Sequence, residues 1–147
     1  MKVVIQRCKE GKVSVNNKKV NQIKKGFVIL VGIAKDDTEK DINYLVNKIL
    51  KLRVFDDENR IMNKSIMDIK GEILSISQFT LQAITKDGNR PSYINAMSGD
   101  EALKLYELFN IKLNQYIKTY PGVFGGDMLL DIQNDGPVTI IIDSKNK

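Results

Sequence analysis

The four residues Ser77-Gln78-Phe79-Thr80 set two hydroxyls, an amide and an aromatic ring in succession at the end of an apolar run. In a regular strand Ser77 and Phe79 would face one side and Gln78 and Thr80 the other, so a hydroxyl and a ring would share a surface. The same residues also suit a plain strand end, where Ser and Thr are at home. Lys86 and Arg90 follow in a polar stretch. Basic groups beside a pocket could hold phosphates, although exposed loops often carry them without a ligand. Near the C-terminus, Asn134-Asp135-Gly136-Pro137-Val138-Thr139 launches a β-branched run from a Gly-Pro pair. Pro137 has no N–H to give a sheet and suits a strand start, and Asp135-Gly136 supplies a turn before it. An X-Pro bond is cis in about 5–6% of folded cases. A cis Gly-Pro would present successive carbonyl oxygens as a stiff wall without side chains.

The chain has no histidine and one cysteine, Cys8. Ser-His and Cys-His pairs are therefore excluded, and so is a zinc site that needs several Cys or His ligands. Chemistry must come from carboxylates, hydroxyls, amides, backbone groups or the substrate itself. Cys8 reads as a small buried residue rather than a reactive thiol. No metal or other cofactor is expected, and Asp56, Asp57 and Glu58 are a chance cation contact at most. The formal charge of +5 favours a polyanionic partner without requiring one. No run approaches the roughly 20 apolar residues of a membrane helix, and the start of the chain is too polar for a signal peptide, so a cytoplasmic location is expected.

The elements that must position these residues follow from periodicity. Residues 2–8 and 12–16 alternate about Glu10-Gly11 and read as a hairpin, with a turn at Asn16-Asn17 and a short polar strand near 19–23. "FVILVGI" after Gly26 is apolar throughout, as in a strand buried on both faces. Thr38 with Asp41 marks a helix start, and Ile42, Leu45, Val46, Ile49 and Leu52 recur at helical spacing over about 39–52. A loop, the strand "EILSISQFTL" and an exposed connection or lid at 84–97, with turn signals at Asp87-Gly88 and Arg90-Pro91, come next. Ser98 with Glu101 resembles a capping box. The second helix buries Ala102, Leu105, Tyr106, Phe109, Leu113 and Tyr116 and ends near Tyr120-Pro121. Two or three closing strands follow, broken at Gly125-Gly126 and Asp135-Gly136. The 147 residues predict a single α+β domain, 1–147, with two helices packed on a mostly antiparallel or mixed, barrel-like β body.

Taken in order and spacing, "SQFTL", "KDGNRPSY", "GVFGGDM" and "NDGPVT", with the opening "MKVVIQRC", resemble the D-aminoacyl-tRNA deacylase family over essentially the whole chain. Alanine is more usual in the family at Gly126, and an aliphatic residue at Cys8. The resemblance implies a homodimeric hydrolase that cleaves the ester joining a D-amino acid to the 3′ end of tRNA and also removes glycine mischarged on the alanine tRNA. It implies a cis Gly136-Pro137 peptide that enters the partner subunit's active site. It further implies catalytic roles for Ser77, Gln78 and Thr80, substrate-binding roles for Phe79, Met128, Gly136, Pro137 and Arg7, and RNA contacts at Lys86 and Arg90. Arg7 is expected to brace the Gly-Pro carbonyls. A backbone wall would admit the D arrangement, collide with an L side chain and let glycine pass. Two mechanisms compete. Thr80 could attack or polarise but has no activating base. The favoured alternative uses the terminal 2′-OH to activate water, while amides near Phe79 and Thr80 steady the oxyanion. A non-catalytic basic RNA-binding module that stacks a base on Phe79 is the other reading.

Overall fold

The computed structural model describes residues 1–86 and 88–147, so the Asp87 half of the Asp87-Gly88 turn signal lies outside the described residues. The first strand, β1 (Lys2–Val15), is continuous, and the hairpin expected at Glu10-Gly11 is absent. Gly11 serves a close approach instead: a Cβ there would stand 2.6 Å from Val28 Cγ2. The chain reverses at Asn16-Asn17, both left-handed with φ of 49° and 60°, as a two-residue hairpin requires.

Strand β1 organises the sheet. Its first half pairs antiparallel with β3 (Gly26–Gly32), from Lys2↔Gly32 to Cys8↔Gly26, and its second half pairs with β2 (Lys18–Ile23). Its other edge runs along the last strand, β8 (Leu129–Asp143). Strands β6 (Glu72–Ser77) and β7 (Thr119–Pro121) extend the sheet in parallel from β3, giving the order β2-β1-β3-β6-β7. The two ends of that order meet where Asn21 Nδ2 donates to the Pro121 carbonyl at 2.6 Å, so the sheet curls nearly into a barrel.

Parallel neighbours need long crossovers, and these carry the helices. Helix α1 (Glu39–Lys51) and the small hairpin β4 (Phe55–Asp56) and β5 (Met62–Lys64) join β3 to β6, and α2 (Gly99–Asn114) joins β6 to β7. Alternation along β3 divides the apolar residues between two cores. Phe27, Ile29 and Val31 meet Ile42, Leu45 and Ile49 of α1 and Phe109 and Leu113 of α2. Val28 and Leu30 point into the barrel with Cys8, Val13, Ile23, Leu74 and Ile76. Burial pushes the Cys8 thiol up to about 11, which leaves it an inert packing group.

The α1 capping box forms between Thr38 and Asp41. Ser98 caps α2 by position but makes no side-chain cap bond. Helix α2 stops at Asn114, short of the expected end at Tyr120, because the Asn114 side chain accepts the Thr119 N–H at 3.0 Å and the chain re-enters the sheet as β7. Tyr116 is consequently exposed, and Ile117 takes the core position. The closing segment is the single strand β8 rather than pieces split at Asp135-Gly136.

Beside α1 the Met1 amine is buried on Asp37 and donates to Ser144 Oγ at 2.8 Å, while Ser144 Oγ donates to Asp41 at 2.7 Å. Burial works against the ionised Asp41. The bonds from Ser144, Thr38 and Lys145 together outweigh it and hold the carboxyl well below the usual range. Among the described residues no helix is long and apolar enough to cross a membrane.

Candidate active site

The carboxyl ends of β3 and β6 lie side by side, Val31 opposite Ser77. Such ends of parallel strands are where ligand crevices form in mixed folds. Strand β6 stops at Ser77. Gln78 leaves extended geometry, with φ −146° and ψ 83°, and Phe79–Gln82 wind into a 3-10 turn. The strand alternation expected through Thr80 therefore fails after Ser77. Two glutamines hold the turn in place: the Gln78 N–H donates to the Val31 carbonyl at 2.7 Å, and buried Gln82 Nε2 donates to the Gly32 carbonyl at 2.9 Å. Gln78 Nε2 also donates to Thr80 Oγ1 at 2.5 Å. The first amide of the turn to bond back is that of Leu81, to the Gln78 carbonyl, so those of Phe79 and Thr80 precede it as the orphan donors of a helix start.

A cavity of about 700 Å³ opens over this turn. Ser77, Gln78 and Phe79 line it together with Tyr93, Phe124 and Met128. A hydroxyl and a ring thus share a surface, as expected, through the 3-10 turn and not through strand alternation. The Phe79 ring is 55% exposed and rests edge-on against Tyr93, with centroids 5.0 Å apart. Behind the cavity, the Ser75 carbonyl accepts both the Tyr106 hydroxyl at 2.7 Å and the Gly122 N–H at 2.8 Å, which ties α2 and the segment leading to Met128 to β6. Burial pushes the Tyr106 phenol up, so it stays a proton donor.

A second constellation sits on β8. Gln6 pairs with Thr139 and Cys8 with Asn134, so the four residues 135–138 stand opposite Arg7 alone and project from the strand. The Gly136-Pro137 peptide in this knuckle is cis. Gly136 has φ +125°, and a Cβ on it would meet Val138 Cγ2 at 2.8 Å and Arg7 Nη2 at 3.0 Å. Asn134 closes the knuckle, its Oδ1 accepting the Val138 N–H at 3.1 Å and its Nδ2 donating to Thr139 Oγ1 at 3.0 Å. Arg7 is buried beneath. It donates to the Asp135 carbonyl at 3.0 Å and the Val54 carbonyl at 2.7 Å, and it pairs with Asp56 at 3.3 Å. Arg7 therefore braces the residue before the Gly-Pro pair rather than the Gly-Pro carbonyls. Gly136 and Pro137 themselves are exposed.

The expected site residues thus fall into two groups. Ser77, Gln78, Phe79 and Met128 line the cavity, with Thr80 bonded to Gln78 just outside its lining. Arg7, Gly136 and Pro137 form the knuckle. Arg7 lies across from Phe27 and Ser77 across from Val31, four residues further along β3, or about 13 Å at the usual rise of a strand. Lys86 and Arg90 are exposed in the loop that the Ile84–Ser92 bridge closes, outside the cavity lining. Sequence reasoning passed over Lys35, Tyr93 and Phe124 as lining residues; Tyr93, inside "KDGNRPSY", and Phe124, inside "GVFGGDM", carried a signal, and Lys35 carried none. Among the described residues no three His, Cys, Asp or Glu side chains converge on a metal position. Asp57 caps the amides of Asn59 and Ile61, and Glu58 pairs with Lys64.

The family model described as D-Tyr-tRNA(Tyr) deacylase matches residues 4–143, nearly the whole chain. The chain belongs to the D-Tyr-tRNA(Tyr) deacylase family. Within it, a D-aminoacyl-tRNA deacylase of Flavobacterium psychrophilum is 54% identical over 149 residues, covering 100% of this chain and 99% of the relative. One of Clostridium tetani is 55% identical over 146 residues, covering 99% and 98%. A solved structure of a c-Myc DNA unwinding element binding protein superposes with a TM-score of 0.92 at 41% identity, covering 97% of this chain and 98% of that one. The nearly closed sheet with two helices is thus a fold this family shares with its structural neighbours.

Proposed function

We propose that this chain hydrolyses the ester between a D-amino acid and the 3′-terminal ribose of tRNA, releasing free tRNA and the amino acid. The observation that carries the reading is the cavity at the Ser77–Thr80 turn, in a chain whose curated relatives are named D-aminoacyl-tRNA deacylases. Water adds to the ester carbonyl, the bond to the ribose oxygen breaks, and that oxygen takes up a proton. The amides of Phe79 and Thr80 are the donors for the oxyanion. With no histidine in the chain and the Thr80 hydroxyl already bonded to Gln78, the 2′-OH of the terminal adenosine is the activating group. Ser77, Gln78, Phe79 and Met128 hold the aminoacyl and adenosine parts, and Lys86 and Arg90 contact RNA.

The knuckle completes the site from a second subunit. Gly136-Pro137 is exposed, rigidly braced and remote from its own cavity, and Leu129 and Ile141 on the same strand are 63% and 68% exposed, apolar surface suited to a homodimer contact. Entering a partner's cavity, the knuckle excludes an L side chain and admits a D side chain or glycine, including glycine on the alanine tRNA.

The test is deacylation of matched D-tyrosyl-, L-tyrosyl- and glycyl-tRNA by the purified protein. Release from the D and glycyl substrates with the L ester intact is expected. A chain that binds and protects all three esters is an RNA-binding module instead, with exposed Phe79 as its stacking platform.

A further inference from the structure

The cavity lining carries one cation and one anion among the described residues, Lys35 and Asp127. The other lining groups are apolar or neutral. A ligand that reaches the Ser77–Thr80 turn through this mouth therefore meets its positive charge only at Lys35.

In the sequence that charge looks cancelled, since Asp36 and Asp37 follow immediately. The fold sends both acids elsewhere. Asp36 pairs with Lys145 at 3.4 Å, while Asp37 binds the Met1 amine and stands 3.5 Å from Lys145. Asp37 Oδ2 also accepts the Ala34 N–H at 2.6 Å, which turns the chain directly before Lys35. Lys35 itself is exposed and has no carboxylate partner among the described residues. Its backbone is held: the Lys35 N–H donates to the Asn95 carbonyl at 3.0 Å, and Ala34 and Ala96 form an antiparallel bridge. An exposed lysine on an anchored backbone, lining a pocket whose other groups apart from Asp127 are uncharged, is suited to a phosphate, which Lys meets as a point charge on a flexible stem.

We propose that Lys35 binds a backbone phosphate of the tRNA acceptor end, and that Asp127 repels that backbone, so that the strand enters the cavity along the Lys35 side. The assignment rests on the deacylase reading and adds to it a residue for strand polarity. Removing one phosphate contact to single-stranded RNA lowers the slope of log affinity against log salt by about 0.7.

The experiment is steady-state deacylation of D-tyrosyl-tRNA over a salt series by wild type, K35A, K35R and D127N. It is repeated with the D-tyrosyl ester of adenosine, which has no phosphate. For K35A on the tRNA, KM is expected to rise about five- to tenfold at low salt with kcat within about twofold, and the salt slope to fall by about 0.7. K35R should restore most of the KM, and D127N should lower it by about twofold. On the adenosine ester the ratio of K35A to wild-type kcat/KM should return toward one. An unchanged salt slope in K35A, or an equal loss on both substrates, overturns the assignment. A wild type that hydrolyses neither ester overturns the deacylase reading itself, so the two failures are told apart.

Discussion

The cavity floor and the β8 knuckle are held by opposite means. At the cavity, neutral side chains bond to backbone carbonyls: Gln82 to Gly32 and Tyr106 to Ser75, with the Gln78 amide on Val31. At the knuckle a single buried cation, Arg7, serves the carbonyls of Val54 and Asp135 and the carboxylates of Asp56 and Asp135. Neutral bonds of about 1 kcal/mol each can be lost singly. A buried charge shared by several acceptors fails all at once. A surface that must receive a ligand keeps its charges at the rim, whereas one that must present backbone to another molecule is clamped from beneath.

The sharpest way to break this contrast is Arg7→Ala. Leaving the Val54 and Asp135 carbonyls without their donor, and a hole where the buried side chain stood, should cost about 3 kcal/mol in urea unfolding and abolish deacylation. A loss below about 1 kcal/mol would mean that the knuckle stands without its clamp. Gly136→Ala comes next. At φ +125° and with two contacts of 3.0 Å or less, a Cβ should slow D-tyrosyl-tRNA release at least about tenfold in a protein that still folds by circular dichroism. Wild-type rates would remove the wall from the account of chirality.

At the cavity, Thr80→Ala should reduce the rate by less than about tenfold, whereas replacing the terminal 2′-OH by hydrogen should reduce it about a hundredfold. The reverse order in single-turnover rates would make Thr80 the reacting group. Tyr106→Phe is the mildest of these changes, about 1 kcal/mol, because the Ser75 carbonyl keeps the Gly122 N–H. Its KM should rise by no more than a few-fold. A collapse of activity would show that the cavity, like the knuckle, hangs on one bond.

One acid-sensitive group, Asp41, lies outside both regions. The Asp41 carboxyl is held below its ordinary value near 3.8, so its contribution is complete above that pH and is lost as pH falls through and below it. Asp41→Asn should flatten the dependence of the urea midpoint on pH between about 5 and 2, and an unchanged slope would mean that other carboxyls set it.

Much of the layout was legible from neighbours along the chain. The 3.6-residue spacing from Ile42 to Ile49, the Asn16-Asn17 turn and the unbroken apolar run of β3 are local signals, and the structure has each of them. Gly11 misled because a glycine has the same letter in a turn and at a close approach. The opposing Val28 that distinguishes the two is seventeen positions away. The Ser77–Thr80 group was identified by residue type, but its geometry was not, since Gln82 and Val31 bend it out of the strand.

By itself, then, the sequence determined the core faces of both helices, the Asn16-Asn17 turn, the buried strand β3, the α+β class, the lack of imidazole chemistry and the ordered motifs that mark the family. These depend on residue type and on short periods. Tertiary structure alone decided that Arg7 clamps Asp135 from 128 positions away, that the knuckle lies apart from its own cavity, and that Asp36 and Asp37 turn from Lys35 to Lys145 and the Met1 amine. Each of these rests on strand register and on competition between distant partners, which no local pattern encodes.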